Sequence, residues 1–145
     1  MTDPYDLQRF VDAQDGGTYD RALAELRAGR KTSHWMWFVF PQVAGLGRSE
    51  MALRYAIATL DEAGAYATHE VLWPRYAACC EALAGLGDVA MPDVLGPVDA
   101  QKLHSSLTLF AQVAAHPTIA LLIERHFGGE PDAATISLLR PVPPR

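Results

Sequence analysis

The stretch "SHWMWFVFPQ", residues 33–42, sets two tryptophans and two phenylalanines between a polar entry and a Pro-Gln exit. A short apolar run of this kind fits a buried strand or a buried helix, since periodicity does not separate the two. No other segment offers a convincing strand, and a lone strand would leave its backbone polar groups unpaired. A helix that is apolar on every side requires other helices around it. The stretch therefore predicts that residues 34–40 form the central helix of an all-α domain, ended by Pro41.

The rest of the chain is patterned as amphipathic helices, which agrees with this interpretation. Apolar residues recur at helical spacing in Leu7–Val11, Tyr19–Leu26, Met51–Ala58, Leu72–Leu86, Leu103–Ala114 and Ile119–Phe127, with a short last helix capped by Asp132. The first helix is predicted to start at Asp3-Pro4, an N-cap followed by a favoured first residue. The apolar stripe from Leu103 is opposed by a polar stripe that includes Ser105 and Thr108.

Length and composition predict one compact multi-helix domain over residues 1–145. The chain has 145 residues, 50% of them hydrophobic and 20% charged, which is enough to bury a core without metal or disulfide. Residues 140–145, "RPVPPR", are predicted to be an extended or frayed tail.

Charge and motif content exclude several functional classes. A net charge of -5 disfavours nucleic acid and anionic membranes as partners, and no apolar run reaches the roughly twenty residues of a membrane span. The amino terminus lacks the features of a secretory signal, which predicts a cytoplasmic protein. Cys79 and Cys80 have no second pair, and the five histidines show no metal-binding spacing. Neither a metal nor a cofactor is predicted.

Three motifs carry a resemblance to a known family. "GRKTSHWMWFVFPQVAGLGRS" (29–49), "KLHSSLTLF" (102–110) and "HFGGEPDAATI" (126–136) resemble a bacterial family of conserved hypothetical proteins, domain-of-unknown-function family 1810. The resemblance implies a small all-α domain and brings no activity with it. Some members carry the name calpastatin, but an inhibitor of that kind is a disordered polar chain, unlike this one. The resemblance also places an arginine where this chain has His104.

The loop "PQVAGLGRSE" offers a candidate anion site. Gly45 and Gly47 let backbone N–H groups turn inward, Ser49 can cap the following helix, and Arg48 lies beside that helix N-terminus. The alternative is an ordinary glycine loop with Arg48 in solvent, since the loop has no P-loop lysine and no preceding strand.

Two further groups of polar residues can carry chemistry. His34, Trp37 and Gln42 give the aromatic segment polar atoms of the kind that line small-molecule pockets, although a core helix whose polar atoms satisfy each other explains them too. Lys102 and Ser105 lie three residues apart, the minimum for a Ser-Lys nucleophile pair. The alternative is a small buried serine and an outward lysine.

These residues predict a cytosolic domain that binds a small anionic ligand in an aromatic-lined pocket. The alternatives are a small hydrolase or transferase that uses Lys102, Ser105 or His34, and a homodimeric interaction module. The candidate ligand-binding residues are His34, Trp37, Gln42, Gly45, Gly47, Arg48, Ser49, Lys102 and Ser105.

Overall fold

Helices and one isolated β-bridge make up the regular structure of residues 3–140, the part of the chain that the computed structural model describes. The ten helices of this part are α1 (Gln8–Gln14), α2 (Thr18–Ala28), α3 (Met36–Val39), α4 (Glu50–Arg54), α5 (Leu60–Ala67), α6 (Leu72–Ala84), α7 (Met91–Leu95), α8 (Pro97–Ala111), α9 (Pro117–Phe127) and α10 (Ala133–Leu139). The all-α prediction is confirmed. The predicted tail, 140–145, lies outside the described residues apart from Arg140.

Two long helices, α6 and α8, occupy the centre of the packing. Helix α8 packs against α5, α7, α9 and α10, and α6 packs against α2, α5 and α9. All residues from Ser105 to Phe110 of α8 are buried. Inside the core, the Tyr76 hydroxyl and the Ser106 hydroxyl share a hydrogen bond of 2.9 Å. Because α8 packs against four other helices, it is the central helix, a position that was predicted for the aromatic segment.

The aromatic segment is buried, but its helical part is shorter than predicted. Only Met36–Val39 is helical, a single turn instead of the predicted residues 34–40. Phe40 leaves the helical region with φ -124° and ψ 73°, as expected for a residue before proline. Trp35 is 1% exposed, whereas Trp37 is half-buried and His34 is exposed. The prediction of a helix over residues 34–40 was wrong because it assumed that every side chain of the run is buried in the same core.

The first helix begins later than predicted. Helix α1 starts at Gln8, and Asp6, with φ 50°, interrupts the backbone between it and Pro4. The Asp3 carboxylate accepts hydrogen bonds from the backbone N–H groups of Leu7 and Gln8 at 2.8 and 2.9 Å. The Asp3 side chain thus satisfies two N–H groups of the first turn, but Leu7 is the N-cap residue, so the predicted N-cap and the predicted helix start were both wrong.

The two cysteines, both within the described residues, are buried in α6 as unpaired thiols. Burial raises the pKa of Cys79 to about 12. A thiol with so high a pKa holds almost no thiolate near neutral pH, so neither side chain has the reactivity of a nucleophilic cysteine.

Glu25 on α2 fixes the chain that leads into the aromatic segment. Its carboxylate accepts hydrogen bonds from the backbone N–H groups of Thr32 and Ser33, from the Ser33 hydroxyl and, at 3.0 Å, from the Trp35 indole N–H. Burial raises the pKa of Glu25, but these four donors more than offset that effect and lower it to about 2. The ionised carboxylate thus holds the entry loop against α2.

This low pKa predicts an acid-sensitive contribution to stability. The pKa of Glu25 falls on folding from an ordinary value of 4.5, so its contribution is complete above that value and is lost as the pH falls towards 2. Urea unfolding of the parent protein and of Glu25→Gln at several pH values from about 5 to 2 measures it. The parent should be the more stable at the upper end, and the difference should shrink as the pH falls. A difference that stays constant over this range would contradict the role of the ionised carboxylate.

Candidate functional site

The glycine loop, the first turns of α8 and the start of α10 enclose a cleft of about 700 Å³. Its walls come from three separate segments of the chain. The lining residues are Gln42, Leu46, Gly47, Arg48, Ser49, Ala52, Pro97, Val98, Gln101, Lys102, Ser105, Asp132 and Ala134. A smaller recess adjoins the cleft and shares Gln42, Gly47 and Ala52 with it, and Trp37 and Gly45 contribute to its wall.

Backbone pairing and close packing hold the glycine loop in place. Its base is fixed by the bridge between Val43 and Ile57, where the Ile57 N–H donates to the Gln42 carbonyl at 2.9 Å. A Cβ on Gly47 would lie 2.6 Å from the Ala52 Cβ, so only glycine fits there. Ser49 caps α4 by accepting from the Ala52 N–H at 3.1 Å, as predicted. The loop therefore presents its side chains from a defined backbone.

Helix α4 is too short to supply an anion site by itself. It has five residues, and its first turn already contains Glu50 and the Ser49 cap. A macrodipole builds up from aligned peptide units, so one turn of helix contributes little. Any attraction for an anion has to come from side chains of the cleft.

Two cationic side chains, Arg48 and Lys102, line the cleft. Arg48 on the glycine loop is exposed, and none of the ion pairs within residues 3–140 uses it. The Lys102 Nζ lies 5.5 Å from the centre of the Trp37 ring and 3.8 Å from the Asp99 carboxylate. Asp99 has a closer partner in Lys31, at 2.9 Å. Lys102 is thus positioned by Trp37 without being fully neutralised by Asp99.

The floor of the cleft is a network of hydrogen bonds around Asp132. Its carboxylate accepts from the Gln101 amide at 2.9 Å, from the Ser105 hydroxyl at 3.1 Å and from the Thr135 N–H and hydroxyl. The Asp132 N–H donates to the Thr108 hydroxyl at 2.9 Å. Burial raises the pKa of Asp132, but the donors from Thr135 and Ser105 outweigh it and lower the pKa. The network holds α10 against α8. It keeps the Asp132 carboxylate ionised, with its oxygens already accepting hydrogen bonds.

The same network corrects the sequence interpretation of α8. The stripe that includes Ser105 and Thr108 was predicted to oppose the apolar face, yet both side chains are buried. They are buried because Asp132 and α10 cover them, a long-range contact that helical periodicity does not reveal.

The structure brings most of the predicted site residues together. Six of them line the cleft: Gln42, Gly47, Arg48, Ser49, Lys102 and Ser105. Trp37 and Gly45 border the adjoining recess, and His34 lies outside both. Gln101 and Asp132 were not predicted as site residues. The sequence signal for Gln101 was its i, i+4 spacing from Ser105, which places both side chains on one side of α8.

The Ser-Lys arrangement is not formed. The Ser105 hydroxyl donates to the Asp132 carboxylate at 3.1 Å and to the Gln101 carbonyl at 3.2 Å, while the Lys102 ammonium faces Asp99 and Trp37. His104, at the position where the family resemblance places arginine, stacks on Phe127 outside the cleft. The geometry of the cleft thus suits binding better than nucleophilic catalysis.

A second concavity, of about 580 Å³, lies between the end of α8 and α9. Its lining is mainly alanine and isoleucine, with His116 and Glu124 as its ionisable groups. His116 already caps α9 by accepting from the Thr118 N–H. This concavity contains no lysine or arginine, so it is less suited to an anion than the cleft at Arg48 and Lys102.

Residues 3–140 contain neither a metal-binding cluster of side chains nor a helix that could span a membrane. No group of three or more His, Cys, Asp or Glu side chains is arranged to hold a metal ion. Among the helices of this part of the chain, none combines the length and the apolarity required to cross a bilayer.

Comparison with known proteins gives a family match and a structural match. The family described as "protein of unknown function (DUF1810)" matches residues 4–139. A crystal structure of the conserved hypothetical protein Rv1873 from Mycobacterium tuberculosis is similar at 46% identity and a TM-score of 0.91, over 94% of this chain and 98% of that chain. No curated protein matches. The family match spans every segment that lines the cleft.

Proposed function

The chain belongs to the DUF1810 family of proteins of unknown function, so its own cleft has to indicate what it does, and we propose that it binds a small anionic ligand between Arg48 and Lys102. On this proposal the protein is a cytoplasmic binding domain, with residues 1–145 acting as one unit. Recognition depends on two cations, one from the glycine loop and one from α8.

One observation supports this function most strongly. Gln42 and Arg48 of the glycine loop and Lys102 of α8 line one cleft of about 700 Å³. Arg48 has no ionic partner within the described residues. An arginine guanidinium is a bidentate donor to carboxylate or phosphate, and a lysine ammonium adds a point charge. Two cations at one concavity, with an uncommitted amide from Gln42 beside them, fit an anionic group.

Asp132 is the one carboxylate among the lining residues of the cleft and keeps its negative charge, so the anionic group has to bind at Arg48 and Lys102 and away from it. Its carboxylate already accepts hydrogen bonds from Gln101, Ser105 and Thr135, so its oxygens are directed into the protein. Asp99 is paired with Lys31. The cations that remain available to a ligand are Arg48 and Lys102.

A thermal-shift titration with sodium phosphate tests the proposal. Binding to the native state alone stabilises it by mass action, so phosphate at ten times its Kd should raise the Tm by about 3 °C. Arg48→Ala and Lys102→Met should each lose most of this shift. Arg21→Ala is the matched control, because Arg21 is exposed on α2 and does not line the cleft.

Phosphate also stabilises proteins in general by exclusion from their surfaces, and the control variant measures that contribution. If Arg48→Ala, Lys102→Met and Arg21→Ala all respond to phosphate as the parent does, the cleft is not an anion site.

A further inference from the structure

One wall of the cleft is apolar and open to solvent. It is formed by Leu46, Ala52, Pro97, Val98 and Ala134. Val98, on the first turn of α8, is 67% exposed, the largest value among the exposed large hydrophobic side chains of the described chain. Leu138, one helical turn beyond Ala134 on α10, is 47% exposed and extends the same apolar side of that helix.

The charged groups belong to the same segments as part of this wall, since Lys102 follows Val98 by four residues on α8 and Arg48 follows Leu46 by two in the glycine loop. The volume of about 700 Å³ falls within the range of roughly 300–1,000 Å³ that holds small organic molecules, and is far more than one inorganic anion fills. A simple anion would leave the apolar wall in water.

We propose that the ligand is an amphipathic organic anion, with a carboxylate or phosphate head at Arg48 and Lys102 and an apolar ring or short alkyl body against Val98, Leu46 and Ala134. This inference rests on the proposed function and adds the class of ligand. When the ligand is bound, its apolar body covers Val98 and removes this side chain from water. A head group alone does not cover Val98. The Gln42 amide, which no described side chain engages, lies on the same cleft and can hydrogen-bond a polar substituent.

Calorimetric titration with four probes tests the class of ligand. Acetate and phenylacetate share a carboxylate head, and methyl phosphate and phenyl phosphate share a phosphate head, so each pair differs only in its body. Burial of the ring against the apolar wall should make the phenyl compound of each pair bind at least about tenfold more tightly. The head that gives the tighter phenyl compound identifies which anionic group the cations prefer.

Two variants separate the body from the head. Val98→Ser should reduce the advantage of the phenyl compounds several-fold while leaving acetate and methyl phosphate unchanged, whereas Arg48→Ala should weaken all four. Leu121→Ser is the matched control, because Leu121 is 42% exposed on α9 and does not line the cleft. Both Val98 and Leu121 are surface residues, so their variants are expected to fold.

The outcomes distinguish this inference from the proposed function. Equal affinity within each pair would overturn the amphipathic ligand and leave the anion site intact. Failure of all four probes to bind would overturn both. A parent protein that runs as a dimer in gel filtration, and as a monomer after Val98→Ser, would also overturn the inference, because a second copy would then cover the apolar wall.

Discussion

Replacing Trp35 with alanine is expected to lower the free energy of unfolding by about 3–5 kcal/mol, the usual cost of removing a large buried side chain. Trp35 is 1% exposed, its indole N–H donates to Glu25 at 3.0 Å, and its ring lies 6.3 Å from that of Phe40. The substitution leaves a cavity and removes one of the donors that hold the entry loop. Urea unfolding followed by tyrosine fluorescence or circular dichroism measures the change.

Trp37→Ala is the matched control within the same segment. The Trp37 ring is half-buried at the edge of the core, and the Lys102 ammonium lies 5.5 Å from its centre, a contact of about 0.5–1 kcal/mol at a site open to water. We expect a smaller loss of stability than for Trp35, together with weaker anion binding because Lys102 loses its support. Equal losses of stability from the two substitutions would contradict the assignment of Trp35 as the core indole.

Arg9→Ala is expected to cost about 3 kcal/mol, since it leaves a buried carboxylate without its cation. The Arg9 guanidinium lies 2.9 Å from the Glu62 carboxylate, whose side chain is 5% exposed. It also donates to the carbonyls of Arg54 and Ala56, which lead into the backbone pairing at Ile57. One side chain thus joins α1, α5 and the loop after α4.

A double-mutant cycle identifies the source of this cost. Glu62→Gln removes the charge that Arg9→Ala leaves unpaired, so the double variant should lose less than the sum of the two single variants. Arg54→Ala, at an exposed arginine in the same region, should change stability by less than about 0.5 kcal/mol. Strict additivity of Arg9→Ala and Glu62→Gln would show that the ion pair contributes nothing.

The sequence predicted several helix ends from local signals, although it did not predict α5, which Thr59 caps. Helix α2 ends at Gly29 in the left-handed conformation, α9 follows His116-Pro117, and α10 follows its Asp132 cap, all as the residue types indicate. Caps and glycines act over a few residues, so the local sequence alone predicts their effect. The aromatic segment was harder, because burial from several directions gives no period from which a helix length can be measured.

The candidate site also combines residues that the sequence predicts with residues whose role depends on the rest of the fold. Gln42, Arg48 and Lys102 were predicted as candidate ligand-binding residues, Arg48 as part of an anion site, and the fold places them around one cleft. The roles of Gln101 and Asp132 depend on α10 lying across α8, a contact between residues about thirty positions apart. His34 was grouped with the aromatic segment by sequence proximity, yet the Glu25 contacts at Ser33 and Trp35 leave it exposed outside the cleft. Closeness in the sequence does not determine the direction in which a side chain points.

The most direct test of the ligand cleft is to locate the bound anion by amide chemical-shift mapping in a titration with phenyl phosphate. The proposed anion site predicts saturable shifts that cluster at residues 42–52, 97–105 and 132–134, and that disappear in Arg48→Ala. Shifts clustered instead around Ala114–Glu124, in the concavity without lysine or arginine, or no saturable shifts at all, would contradict it.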